Sequence, residues 1–180
     1  MNKLSADFNP SPDTPSKEVV TSFFAAAEGG DAATIQELLD FFPVLAEWKE
    51  PLTQATALIV AAKAGRTEVI AVLVQSGADI KAEDAGAMNA LSYAACNGHY
   101  DVCVLLIQSG ADPAEKGRHG MSAIDCARTQ DFPSLGDYML RAAAERRENI
   151  KASWGDSGEI EIGTSRPVQA MKPIVFKPKS

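Results

Sequence analysis

Apolar residues recur at spacings of three and four through most of the chain, which is the period of helices with one buried face. Ile35 and Leu39 lie on one such face. Ser16 and Asp31 are residue types that cap helix N-termini. The Gly29-Gly30 pair between them is typical of a helix end. The pattern therefore predicts one helix from about Ser16 to Gly29-Gly30 and a second that begins at Asp31.

The helical pattern is repeated along the chain with a fixed period. Ala61-Ala62-Lys63-Ala64-Gly65 returns as Ala94-Ala95-Cys96-Asn97-Gly98, an offset of 94 − 61 = 33 residues. Residues 73–79 return at the same offset as residues 106–112. The residues that open the predicted first helices share that spacing, and they are Thr56, Asn89 and Ser122. A unit of this size cannot bury its apolar faces alone, so we expect the units to stack into one continuous core.

The period and the Gly-Ala-Asp closures at 77–79 and 110–112 closely resemble the ankyrin repeat. Thr56-Ala57-Leu58-Ile59-Val60-Ala61 matches the family's Thr-Pro-Leu-His-x-Ala opening only in part, because proline and histidine are replaced. The resemblance implies an all-α solenoid of antiparallel helix pairs joined by β-turn fingers. In the fourth copy the second helix lacks the Gly-Ala-Asp closure and continues into a charged run from Arg141 to Lys151.

The predicted domain organisation follows from these repeats. A flexible leader occupies residues 1–15, the repeat domain occupies residues 16–151, and a flexible basic tail occupies residues 152–180. The domain divides into units of about 16–50, 51–83, 84–116 and 117–151. The first and last units are expected to act as caps with more polar outer faces.

Charge and composition narrow the class of partner. Residues 1–150 carry 12 Lys and Arg against 21 Asp and Glu, whereas residues 151–180 carry 5 against 3. An acidic body disfavours nucleic acid and anionic membranes as ligands. No stretch reaches the ~18 apolar residues of a membrane helix, and the amino terminus does not resemble a secretory signal. Three cysteines without a C-x-x-C pair indicate reduced thiols in a cytoplasmic protein.

The sequence predicts no catalytic, cofactor-binding or metal-ligating residues, and therefore no enzyme. The two histidines, His99 and His119, fall at predicted turns, where a structural role is favoured for His99. Cys103 lies in an apolar helix stripe and is expected in the core. Cys96 is expected on the exposed side of its first helix. The sequence shows no neighbouring base that would activate its thiol.

The resemblance implies instead that another protein binds across the concave face formed by first helices and turns. Transferred position by position, the partner-binding candidates are Leu52, Lys63, Met88, Tyr93, Cys96, Asn97, Arg118, His119, Met121 and Arg128. Leu52, Met88, Tyr93 and Met121 are apolar or aromatic where turns are usually polar. They either contribute to an interface or pack between adjacent fingers. The expected function is that of an adaptor or inhibitor, monomeric when free, that binds a cytoplasmic protein of unknown identity.

The tail offers a second function. Residues 167–178 form a basic, apolar segment attached to an acidic body. It could occupy the concave face of its own chain, contact another protein as a short linear motif, or remain solvated without a role. In the first two cases the protein would be a regulatory or structural subunit whose tail makes the contact or inhibits the groove.

Overall fold

The computed structural model of the protein describes residues 15–117 and 120–154, which form four helix pairs in chain order. The first helices of the pairs are α1 (Lys17–Gly29), α3 (Ala57–Lys63), α5 (Ala90–Cys96) and α7 (Ala123–Thr129). The second helices are α2 (Ala32–Phe41), α4 (Thr67–Gln75), α6 (Tyr100–Gln108) and α8 (Pro133–Trp154). A short 3₁₀ helix, Pro43–Glu47, follows α2 and was not expected from the sequence. The all-helical repeat architecture predicted from the period is confirmed.

Polar side chains fix where these helices begin. Five N-cap side chains accept a hydrogen bond from the backbone N–H three residues later, namely those of Ser16, Asp31, Thr56, Asn89 and Ser122. The Asp125 carboxylate in turn accepts a hydrogen bond from the backbone N–H of Ser122, which completes a capping box. Each satisfied N–H stabilises its helix by about 1 kcal/mol relative to alanine at the cap.

The turn inside each helix pair uses a left-handed backbone conformation at one repeated position. Gly30, Gly65 and Gly98 have φ values of 91°, 71° and 70°. Asp131 has φ 63° at the corresponding position of the last pair. Glycine adopts this region without steric cost, whereas most other residues do not. The predicted helix breaks at Gly65 and Gly98 therefore have a direct backbone cause.

The helices pack in two rows. The first helices contact one another in the order α1, α3, α5, α7, and α2, α4 and α6 contact one another in the same order behind them. The first helices are lined with fully buried alanines where they meet, at Ala61, Ala62, Ala94, Ala95 and Ala127. Small side chains let these helices approach closely, and the larger apolar residues of the second helices complete the core.

The last helix differs from its counterparts. α8 has 22 residues, whereas α4 and α6 have 9 each. Its first half packs through the buried side chains of Leu135, Met139 and Ala143. The Arg146 guanidinium donates from Nη1 to the Gly110 carbonyl oxygen at 2.9 Å, which joins α8 to the end of α6.

The predicted segment boundaries lie at or near the ends of the described residues. Helix α8 continues past the expected domain end at Lys151 and ends at Trp154. The predicted leader, apart from residue 15, and the tail beyond residue 154 lie outside the described residues. Among the helices that are described, none has the length and hydropathy required to span a membrane.

Candidate functional site

Three turn segments project between successive helix pairs, at residues 49–56, 83–89 and 116–122, and we call them the fingers. Each is closed at its base by an antiparallel bridge between Lys49 and Thr56, Glu83 and Asn89, or Lys116 and Ser122. Each finger contains one residue with positive φ at the repeat spacing, namely Gln54, Ala87 and Gly120. The second finger therefore uses Ala87, and not the preceding Gly86, for its left-handed position.

The first two fingers and the helices α1, α3 and α5 line an open groove of about 590 Å³. We call this the concave groove. Its lining comes from α1, the first finger, α3, the second finger and α5, and consists of Thr21, Phe24, Ala25, Glu28, Glu50, Thr53, Ala55, Ile59, Val60, Lys63, Ala64, Asp84 and Tyr93. Because helical residues three and four apart share a face, Phe24 and Glu28 of α1 point into it together.

One side of the concave groove is fixed by a hydrogen-bonded aromatic residue. The Tyr93 hydroxyl donates to Oδ2 of Asp84 at 2.6 Å, and Oδ1 of Asp84 accepts from the Met88 backbone N–H at 3.0 Å. The hydrogen bond to Asp84, with burial and the carboxylate charge, raises the pKa of Tyr93 to about 12. The Lys63 ammonium nitrogen lies 5.9 Å from the centroid of the Tyr93 ring. These contacts tie α5 to the second finger and to α3.

The concave groove carries an excess of negative charge. Three carboxylate residues, Glu28, Glu50 and Asp84, line it together with the single ammonium group of Lys63. The Glu50 carboxylate accepts from the Thr53 hydroxyl within the first finger. At Glu28, the backbone carbonyl accepts from Nε of Arg66 at 2.8 Å, which leaves the carboxylate outside that contact. The groove therefore suits a cationic ligand group better than an anionic one.

The predicted partner-binding residues that the structure describes are spread over the fingers and the first helices. Lys63 and Tyr93 line the concave groove. Leu52, 89% exposed, lies in the first finger, and Met121, 48% exposed, lies in the third. Met88 is half-buried within the second finger. Arg118 and His119 lie outside the described residues.

The remaining predicted residues contact other residues of the stack. Nδ2 of Asn97 donates to the Lys63 carbonyl oxygen at 3.1 Å, so this exposed side chain joins two units of the stack. Cys96 is half-buried, and burial, with a smaller effect of the neighbouring Cys96 thiol, raises the pKa of the buried Cys126 to about 12. Arg128 is exposed at the end of α7, and its side-chain stem approaches Gly136.

Sequence reasoning missed much of the groove lining. Phe24 and Glu50 belong to the first unit, which lacks the Gly-Ala-Asp closure and departs from the 33-residue period. Phe24 stands one helical turn before the exposed Glu28, and that spacing was an available signal. Asp84 had no such signal, because its role depends on the hydroxyl of Tyr93, nine residues later.

The cysteines are candidate nucleophiles and metal ligands. Cys103 is fully buried, as predicted, and burial raises the pKa of its thiol to about 12. A buried thiol of high pKa is a poor nucleophile. Within residues 15–117 and 120–154, no three His, Cys, Asp or Glu side chains are grouped so that they could hold a metal ion.

Stacked helix pairs, closed fingers and a concave groove define a helical-repeat protein of the solenoid class. A family model described as ankyrin repeats, in three copies, matches residues 16–117. The chain belongs to the ankyrin-repeat family, whose members are in general protein–protein interaction modules. The fourth unit lies beyond the matched range but keeps the register through the Ser122 cap. No curated protein matches the chain.

Proposed function

We propose that this protein is a non-enzymatic adaptor or inhibitor that holds a segment of another protein in its concave groove. The observation that carries the proposal is the groove itself, about 590 Å³ in volume and lined by aromatic, aliphatic and acidic side chains from three successive units. Such a surface combines apolar area with fixed charge, which is what a specific protein interface requires.

The partner segment is proposed to be basic and partly apolar. Phe24, Val60 and Tyr93 offer apolar contacts, and aromatic side chains contribute strongly to binding energy when an interface excludes water. Glu28 and Glu50 would attract lysine or arginine. Tyr93 is already held by Asp84, so little conformational freedom is lost when a ligand contacts its ring.

We further propose a cytoplasmic location and a monomeric free state. The cytoplasmic assignment is supported by three free cysteines, of which Cys103 and Cys126 are buried. The monomeric state is supported by the net negative charge of the chain, since charge repulsion keeps the free molecules apart.

Affinity capture with two matched double variants tests the proposal. The groove variant combines Glu28→Arg with Tyr93→Ala, and the control combines Glu37→Arg with Tyr100→Ala on the second helices. Thermal unfolding first establishes that both variants fold. The proposal requires that only the groove variant loses proteins captured by the wild type. If both variants capture the wild-type set, the concave groove is not the binding site.

A second function, in which the tail contacts the groove, is favoured by one specific observation. The tail is basic and the groove lining is acidic.

A further inference from the structure

The carboxyl-terminal residues have the charge opposite to that of the concave groove. Residues 166–180 contain four cationic side chains, Arg166, Lys172, Lys177 and Lys179, and no Asp or Glu. The groove lining contains three carboxylates and one ammonium group. Opposite charges on one chain attract each other at every protein concentration. Charges on separate molecules do so only when the molecules meet.

We propose that residues 166–178 of this chain bind in its own concave groove and compete there with the partner protein. The proposal rests on the proposed function, because it assigns regulation to the same groove. The segment acts as an intramolecular inhibitor that a partner of higher affinity displaces.

The composition of the segment is complementary to the lining of the groove. Ile174-Val175-Phe176 is an apolar run with Lys172 before it and Lys177 after it. The groove lining includes the apolar side chains of Phe24 and Val60 and the carboxylates of Glu28 and Glu50. The segment therefore combines apolar and cationic groups, and the groove combines apolar and anionic groups. Pro173 and Pro178 favour an extended chain at both ends of the run.

The chain has enough length to reach the groove. Arg166 lies 166 − 154 = 12 residues beyond the end of α8, and that many residues span up to about 40 Å when extended. Neighbouring helices pack at roughly 8–10 Å, so α7 and α1 are separated by about 24–30 Å. The segment can therefore pass along the whole row of first helices.

The course of α8 also directs the segment to the finger side. The Arg146–Gly110 hydrogen bond aligns the middle of α8 with the end of α6. The chain leaves α6 there to form the third finger. The remainder of α8 therefore continues past the level from which the fingers start, and finger residues Glu50 and Asp84 belong to the groove lining.

A weak interaction is sufficient for such regulation. A flexible tether gives its end an effective concentration on the order of millimolar at a site within reach. A segment with a dissociation constant near 1 mM would thus occupy the groove about half of the time, and the apparent affinity of the partner would fall about twofold. Because the contact is largely ionic and exposed, occupancy falls as salt is added.

Zero-length carbodiimide cross-linking of the full chain tests the proposal, since the reagent joins carboxylates only to amines in direct contact. An equal mixture of ¹⁴N- and ¹⁵N-labelled protein distinguishes links within one chain from links between copies. We expect links within one chain from Lys172 or Lys177 to Glu28 or Glu50. Replacing Ile174→Ser and Phe176→Ser, which keeps every lysine and both glutamates, should reduce these links at least fivefold, whereas Glu37→Gln with Glu68→Gln on the second helices should leave them unchanged.

Several outcomes would overturn the proposal. Links that join only different copies would identify a second copy as the occupant, and links spread equally over Glu37 and Glu68 would indicate nonspecific attraction. Absence of links to the groove would also exclude the segment as occupant. The proposed function fails independently, since it depends on partner capture by the Glu28→Arg/Tyr93→Ala variant. Loss of capture without tail links rejects only the tail, and tail links with unchanged capture reject only the partner site.

Discussion

The imidazole ring of His99 covers Gly65 of the preceding unit so closely that a β-carbon on Gly65 would lie 2.7 Å from Nδ1. Nε2 of the same ring donates to the Lys63 carbonyl oxygen at 3.1 Å. His99 thus closes the turn of the unit before its own, which is the structural role expected for it. Arg66 covers Gly30 and Phe132 covers Gly98 in the same way.

This contact predicts different costs for two glycine substitutions. Gly65 and Gly77 both have positive φ, at 71° and 86°, but a β-carbon at Gly77 would have no atom within 4 Å. Gly77→Ala should therefore cost only about 1–2 kcal/mol of backbone strain. Gly65→Ala should cost an additional ~1–3 kcal/mol because His99 must move. Urea unfolding measures both values, and equal losses would contradict the covering role of His99.

Asn97 should contribute to stability and not to binding. Its amide donates to the carbonyl of Lys63 in the preceding unit. Asn97→Ala should lower the free energy of unfolding by about 0.5–1.5 kcal/mol. Gln130→Ala, at the corresponding exposed position one repeat later, is the control and should change it little. If the folded Asn97→Ala variant is as stable as the wild type but no longer captures the partner, the proposed stabilising role of Asn97 is wrong.

The Tyr93 hydroxyl should stabilise the second finger. Tyr93→Phe removes the 2.6 Å hydrogen bond to Asp84 and should lower the free energy of unfolding by about 1–2 kcal/mol. Tyr100→Phe is the matched control, because Tyr100 contacts Tyr138 through its ring, with centroids 5.4 Å apart. Chemical denaturation compares the two, and amide hydrogen exchange should increase in the second finger only for Tyr93→Phe. Equal effects of the two variants would refute the prediction.

The buried thiol of Cys103 should make stability fall at alkaline pH. Burial raises its pKa from 9.0 to about 12 in the folded state, so the unfolded chain loses this proton first. The stabilising contribution is complete below pH 9 and disappears as the pH rises toward 12. Between pH 8 and 10.5 this one thiol should remove about 2 kcal/mol.

Cys103→Ala provides the comparison for that prediction. The variant should be less stable at pH 8 because it leaves a cavity, but it should lose about 2 kcal/mol less than the wild type on going to pH 10.5. Cys126 and Tyr93, which also have raised pKa values, keep contributing to the remaining alkaline loss in both proteins. Equal losses of unfolding free energy in the two proteins between pH 8 and 10.5 would contradict this role of Cys103.

The sequence predicted features that repeat and missed features that depend on contacts between units. Caps such as Asp31 and Ser122 follow from residue type and position, and the period located the turns at Gly65 and Gly98. The acceptor of Asn97 is a backbone carbonyl 34 residues earlier, which no side-chain pattern reveals. The sequence also predicted that the second helix of the fourth unit continues into the charged run to Lys151, and α8 extends 154 − 151 = 3 residues beyond it, to Trp154.

The candidate groove was predicted less well than the fold for a related reason. Transferring positions from a repeat pattern treats all units alike, whereas the concave groove is concentrated in the first three units. Lys63 and Tyr93 were found because they occupy regular positions. Phe24 and Asp84 were missed because their orientation depends on where α1 and the second finger meet α3 and α5.

The covered turns give the stack a direction. Each of the first three turns is completed by a side chain from the unit that follows it, so no unit before the last is finished by its own residues. At the fourth turn, glycine is replaced by Asp131, which is exposed and supplies a β-carbon and a carboxylate of its own. The covering side chain of a further unit placed after α8 would collide with the Asp131 side chain. Asp131→Gly would therefore be the first substitution needed to extend the array.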